Sequence, residues 1–482
     1  MPVPHVHVAI VGSGFAGLGA AIRLRAAGER DLVVFERAGD VGGTWRDNRY
    51  PGCACDVPSH LYSFSFAPNP GWRRTFSPGE EIWAYLKRVA ERFGVLGDVR
   101  LRHDLLAAAW DGTVWRIETS RGDWTADALV SAAGALSEPA LPALPGLERF
   151  TGAVFHSARW DHGLDLAGRR VAVIGTGASA IQFVPQIQPQ VERLHVFQRT
   201  APWIIPRTDR PLRPWEHRLY RRLPAAQRLV RSGVYVAREL IGIPFLHPRF
   251  ADRLERIAHR HLARAVRDPE LRDRLTPRYR IGCKRILISN DYLPALTREN
   301  AELVTAGIRE VLSDGIVTDD GVERALDTII FATGFRVTAQ PIAERIRGRA
   351  GTTLAEAWAG SPHAHLGTTV PGYPNLFLLG GPNTGLGHTS VLLMLEAQIG
   401  HVVDALAHLR ATGGRSLEPR PGAEAGYLAG IDRRMASTVW ATGGCDSWYI
   451  DATGRNSTLW PGHTWSFRRR LRRLDPAEYA VT

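Results

Sequence analysis

The stretch HVAIVGSGFAGLGAAIRLRAAGERDLVVFE, His7 to Glu36, reads as one strand–helix–strand unit. His7–Val11 is a short apolar run of β type, GSGFAG (Gly12 to Gly17) is a glycine loop, and Leu18–Ala27 carries helical patterning closed by Gly28. Leu32–Phe35 is a second strand that ends on Glu36. In such a unit Gly12, Gly14 and Gly17 allow a tight turn and close backbone approach, while the helix N-terminus offers amide donors to a pyrophosphate. An acid about 20 residues further on is placed for ribose hydroxyls, and Glu36 stands there.

A second unit begins at Arg170. VAVIG (Val171 to Gly175) leads into TGASA, a helical pattern runs to about Ile187, and LHVF (Leu194 to Phe197) closes it. Its loop, Gly175, Gly177 and Ala180, is GxGxxA, with Thr176, Ala178, Ser179 and Gln182 as further candidates to line a ligand. The second strand ends not on an acid but on Gln198, Arg199 and Thr200. An arginine there suits a 2′-phosphate, because its planar fork donates paired hydrogen bonds to phosphate oxygens. The residues therefore point to FAD in the first unit and NADPH in the second, with hydride passing from nicotinamide to flavin. Disulfide reductases need a CxxC pair beside the flavin, and the sequence has none. What the reduced flavin then meets is left open by these residues, with oxygen a plausible acceptor.

The 482 residues, 44% hydrophobic, give room for two or three packed domains. The expected fold class is α/β, with two Rossmann-like domains and a helical insertion in the second. Residues 1–140 and 371–482 are assigned to the FAD-binding domain, 150–206 and 281–370 to the NADPH-binding domain, and 207–280 to the insertion. Within the insertion, Leu254, Ile257, Ala258, Leu262 and Val266 recur at helical spacing, and Asp268-Pro269-Glu270 reads as a new helix start. Its bulky Trp215, Tyr235 and Phe245 are expected to pack the helices. Strand signals resume at Arg285–Ile288 and Thr328–Phe331; from Pro374 the chain gives NLFLLGG (Asn375 to Gly381), a GPNTGLGHTS loop and a long helical pattern over Val391–Leu409. No stretch approaches the roughly 20 uninterrupted apolar residues of a spanning helix, and no secretory leader precedes the first strand, so a cytoplasmic protein without a transmembrane segment is expected.

Cys53 and Cys55 are too close for a redox pair and too few for zinc, and Cys283 and Cys445 read as solitary, so all four are expected to be structural. The net charge of +12 invites a nucleic-acid partner. The charges are dispersed, however, and 58 of the 60 basic residues are arginine, a skew that points to coding bias and not to a binding stripe.

FTGAVFHSARWD, Phe150 to Asp161, fits FxGxxxHxxxW followed by proline or aspartate, and resembles the fingerprint of type I Baeyer–Villiger flavin monooxygenases. GGTWRDNRYPGCACD (Gly42 to Asp56), FQRTAPW (Phe197 to Trp203), CKR (Cys283 to Arg285), FATGF (Phe331 to Phe335) and SWY (Ser447 to Tyr449) resemble segments of the same family. The resemblance implies an enzyme that converts ketones to esters or lactones with O2 through a peroxyflavin. It assigns Arg285 to stabilising the negatively charged oxygenated flavin and Asp56 to holding that arginine. Gly43, Thr44, Trp45 and Tyr62 would contact the flavin, Lys284 would grip the 2′-phosphate with Arg199 and Thr200, and Trp448 would close over the nicotinamide end. His156 is expected to be a hinge or packing residue and not a base. The nearest alternative is a flavin monooxygenase that oxygenates nitrogen or sulfur, whose fingerprint differs where this chain has Trp160 and Asp161.

Overall fold

A computed structural model describes residues 2–482. Its first sheet centres on the strand His5–Val11, which lies parallel to Leu32–Glu36 on one side and to Gly122–Ser131 on the other. Leu376–Leu378 adds a parallel strand beside Gly122–Ser131, and Leu105–Trp110 with Trp115–Thr119 extends the sheet as an antiparallel meander. Val8 and Ile10 face a core shared with the helix Phe15–Ala26, while Ala9 and Val11 face a second core containing Trp110 and Trp115. Both faces of the strand are covered, so it reads as a continuous apolar run and not as an alternation.

The second sheet is five-stranded and parallel, in the order Ala301–Val304, Arg193–Phe197, Arg170–Ile174, Thr328–Phe331, Ala153–His156. Val171 and Val173 pack with the helix Ala180–Ile187, and Ala172 and Ile174 pack on the opposite face against Ile316 and Leu326. The fingerprint segment thus ends as an edge strand, with His156 paired in register to Phe331.

Residues 207–280 carry the helices Pro214–Arg222, Pro224–Ile241, Ile243–Leu246, Asp252–Ala265 and Pro269–Arg274. Asp268 caps the last of these by accepting from the backbone of Glu270 and Leu271. Phe245 is buried and stacks on Trp440, whereas Trp215 is exposed and packs no core. The helix Pro224–Ile241 is inverted: it buries Gln227 and Glu239 and turns Leu229, Val236 and Leu240 outward.

Three readings change. The chain returns to the first sheet before residue 371, because Ile346–Arg347 pairs with Ala108–Ala109 and Ala343, Ile346 and Trp358 bury beneath Trp110 and Trp115. A two-residue strand inside ERIRGR leaves no alternation to read. The strand expected over Arg285–Ile288 is limited to Leu287–Ile288, paired with Ile204–Ile205. Cys283 and Cys445 are not solitary but form a disulfide across 162 residues of sequence. Tertiary folding brings the loop after Val439–Thr442 onto the Cys283 segment, which spacing alone does not reveal. Disulfides are rare in reducing compartments, so thiol counting is the direct check: protein unfolded without reductant should expose two reactive thiols, Cys53 and Cys55, and four after reduction. Four before reduction would remove the bridge.

The helix Val391–Thr412 is, among the described residues, the one long and apolar enough to cross a membrane by length and composition. It lies in the core against Phe15–Ala26, with Leu392, Leu395, Ile399, Val402 and Leu406 buried there.

Candidate active site between the two nucleotide-binding units

The two glycine loops are built alike. A Cβ on Gly12 would stand 2.6 Å from the Ala132 carbonyl oxygen, and one on Gly175 would stand 2.6 Å from that of Ala332. Both glycines have positive φ, 101° and 108°, so each strand–helix turn is bare backbone pressed against the chain leaving the neighbouring parallel strand. A third glycine, Gly43, approaches Gly14 from the next loop. This is a cradle from which side chains are excluded, and it fits a dinucleotide pyrophosphate.

A cavity of about 650 Å³ runs from this cradle toward the second unit. Gly12, Gly14, Glu36, Gly43, Thr44 and Trp45 line its first end. Asp56, Tyr62, Ala178, Ser179, Gln182, Arg285 and Trp448 line the remainder, so most of the residues expected at the site meet in one space. Gly17 lies behind the cradle against Gly12. Gly175, Thr176, Gly177, Arg199, Thr200 and Lys284 do not line this cavity.

Glu36 is more engaged than the sequence indicated. Its Oε2 accepts from the Ser13 backbone N–H and, at 2.6 Å, from the Ser13 hydroxyl, while Oε1 lies 2.9 Å from Arg46. Ser13 and Arg46 were missed as site residues, although both lie inside the two quoted motifs. Gln182, which lines the cavity, is also engaged with the protein itself: its amide oxygen accepts from Tyr50 and the Ala54 N–H, and its amide nitrogen donates to the Ala54 carbonyl. It bolts the second unit to the flavin-side segment. Trp45 donates to the Tyr62 hydroxyl at 3.2 Å, and Phe15 packs edge-on against Tyr62 at 5.2 Å. Burial pushes the Tyr62 hydroxyl well above its ordinary range, so it stays protonated.

Arg285 and Asp56, 229 residues apart in sequence, form a forked pair. Nε donates to Oδ2 at 2.9 Å and Nη2 to Oδ1 at 2.7 Å. The arginine side chain keeps 38% exposure, which opens on the cavity. Burial alone would raise the Asp56 carboxyl, but the charge and hydrogen bonds of Arg285 override it and hold the carboxyl below its ordinary value. The charge of Asp56 in turn raises Arg285. Tyr449, also missed, lines the cavity beside this pair; burial pushes its hydroxyl up to about 12. Its neighbour Trp448 is 44% exposed and packs on the Tyr449 ring at 4.3 Å.

Lys284 rests over the Tyr279 ring, 5.3 Å from its centre. Burial and the nearby charge of Arg199 lower its pKa, so the two cations share one neighbourhood. His156 is buried, accepts from the Ala158 N–H and packs edge-on against Phe335. Burial depresses it to about 4, which leaves it neutral and unsuited to proton transfer.

A glycine cradle, a second GxGxxA unit and an arginine–carboxylate pair in the wall between them define a two-nucleotide oxidoreductase. The flavin-binding monooxygenase-like family matches residues 5–347, and the chain belongs to that family. A Baeyer–Villiger monooxygenase of Streptomyces coelicolor is 55% identical over 99% of this chain and 93% of its own length. One from Pseudomonas aeruginosa is 49% identical over 99% and 92%. A steroid monooxygenase solved in oxidised form bound to NADP superposes with a TM-score of 0.88 at 33% identity, covering 99% of each chain.

Proposed function

We propose that the protein is an FAD-containing, NADPH-dependent Baeyer–Villiger monooxygenase. It takes a ketone, O2, NADPH and a proton to an ester or lactone, NADP+ and water. One oxygen atom enters the bond beside the carbonyl and the other leaves as water. The observation that carries this reading is the forked Arg285–Asp56 pair in the wall of the nucleotide cavity. The bound flavin, once reduced, supplies the activation of O2. The chain's own residues do the rest. Gly12, Gly14 and Gly43 would admit the pyrophosphate, and Trp45 and Tyr62 would flank the ring system. Arg285 holds a permanent positive charge where negative charge develops, and Asp56 fixes its orientation, so little reorganisation is needed during reaction. Thr176 to Ser179 would receive NADPH at the second loop, and Trp448 and Tyr449 would exclude water above it.

Incubation with NADPH and matched panels of cyclic, linear and steroid-like ketones and of sulfides tests the reading. Esters or lactones are expected from at least one ketone class. Sulfoxides with no ester from any ketone would instead make the protein a heteroatom oxygenase.

Arg199, Thr200 and Lys284 would hold the 2′-phosphate. A hydrogen bond to a charged group contributes about 1.5–3 kcal/mol, so Lys284→Ala should raise the KM for NADPH about 10- to 100-fold. The KM for NADH, which lacks that phosphate, should stay within about twofold. Parallel changes for both coenzymes would show that Lys284 acts on something other than the phosphate.

A further inference from the structure

Three side chains from distant parts of the chain converge under the inverted helix Pro224–Ile241. Glu239 points inward from its last turn, His388 stands in the loop before Val391–Thr412, and His463 is the N-cap of the helix Thr464–Arg470. Glu239 Oε2 lies 3.3 Å from His388 Nε2 and 3.0 Å from His463 Nδ1, and one ligand atom from each residue lies within 4.8 Å of the others. Glu239 is 8% exposed and His388 6%. The oxygenation chemistry uses none of the three.

Charge, valence and spacing point the same way. In a chain with 60 basic residues, no arginine or lysine among the described residues reaches this buried carboxylate; its ion-pair partners are the two imidazoles. A buried carboxylate without a cation is costly. Its second oxygen, Oε1, is buried without a well-formed hydrogen bond, although the Tyr235 and Thr464 hydroxyls stand near the carboxylate. Ligands bound at 2.0–2.1 Å around a tetrahedral zinc lie about 3.3 Å apart, close to the two separations observed.

We propose that Glu239, His388 and His463 bind a divalent first-row transition metal, zinc by ligand chemistry, which ties the helix Pro224–Ile241 to the flavin-side body. Two imidazoles and a carboxylate are an established zinc set, and three protein ligands leave the fourth position to water. His463, with 29% of its side chain exposed, provides the way in. The inverted helix explains the need for such a tie. It turns leucines outward and seats itself on polar groups, so apolar burial contributes little to holding it. Thr389, beside His388, lines the nucleotide cavity, so the metal would also fix part of that wall.

The test uses the full-length, FAD-loaded enzyme, stripped with a chelator, dialysed against graded zinc and assayed for bound metal by mass spectrometry. One tightly held zinc per chain is expected, with a raised thermal midpoint. Glu239→Gln keeps the shape and removes the charge; His463→Ala removes a partly exposed ring. Each should weaken zinc binding by at least about 100-fold, more than changes to outer-shell partners do, and lose the thermal shift while retaining flavin. If Glu239→Gln fails to fold, His463→Ala decides alone. The proposal is overturned if the stripped enzyme takes up no zinc, as a simple carboxylate–imidazolium pair would give. It is equally overturned if the variants bind as well as the parent, which would place the zinc on other histidines.

Discussion

Arg285→Ala should abolish ester formation while leaving the flavin reducible by NADPH. The two half-reactions call on different groups. Hydride delivery needs the nicotinamide positioned by the second unit, whereas oxygen insertion needs a fixed cation in the cavity wall. Removing one preorganised electrostatic contact costs about 10²–10³ in rate. Here the loss should exceed that range, because the same change leaves the Asp56 carboxylate without the partner that offsets its burial. Arg285→Lys keeps a charge but loses the fork that matches both carboxylate oxygens, so an intermediate rate is expected. Stopped-flow reduction under nitrogen and ester yield under air measure the two halves separately. Ester yield near that of the parent would remove Arg285 from the chemistry.

The pair also fixes a pH dependence. Asp56 has a lowered folded-state pKa, so its contribution to stability is fully present above its unfolded value of about 3.9 and is lost only as pH falls further. Arg285 is raised and stays charged throughout. Neither group titrates near neutrality, so a pH optimum there would have to come from elsewhere.

Both nucleotide units were legible because a glycine loop between a strand and a helix is a local feature. Each part of it, from Gly12 to Glu36 and from Gly175 to Arg199, lies within one continuous stretch. The long fingerprint and the flavin-side segment were legible by resemblance; most residues of the flavin-side segment line the cavity, whereas the fingerprint forms an edge strand of the second sheet away from it. What escaped was non-local. The Cys283–Cys445 bridge, the Gln182 clamp on Ala54 and the early return of Ile346 to the first sheet each join segments more than a hundred residues apart. The inverted helix escaped for a different reason. Amphipathic spacing gives the period of a helix but not which face turns inward, and the usual rule assigns the apolar one. In Pro224–Ile241 the buried face instead carries Arg231, which donates to the carbonyls of His60, Leu61 and Ser63 beside Tyr62.

Gly17→Ala and Gly14→Ala should separate the fold of the cradle from the binding of its ligand. A Cβ on Gly17 would lie 1.8 Å from the Gly12 carbonyl oxygen, which is backbone, and 3.5 Å from the Ala132 Cβ. Neither side can yield without opening the strand–helix turn, so Gly17→Ala should destabilise by at least about 3 kcal/mol, the upper end of overpacking costs. The purified protein should then carry little or no flavin. A Cβ on Gly14 meets only the Gly43 Cα, at an ordinary 3.6 Å, and Gly14 has negative φ. Alanine therefore fits the protein itself, and any harm must come from the space a ligand needs. Gly14→Ala should melt within about 1 kcal/mol of the parent when both are freed of flavin, yet bind FAD at least about tenfold more weakly. Flavin absorbance per chain and thermal unfolding with and without added FAD read the two effects independently. If Gly14→Ala binds FAD as tightly as the parent, the pyrophosphate does not pass over this loop, and the first nucleotide site must be placed elsewhere along the cavity.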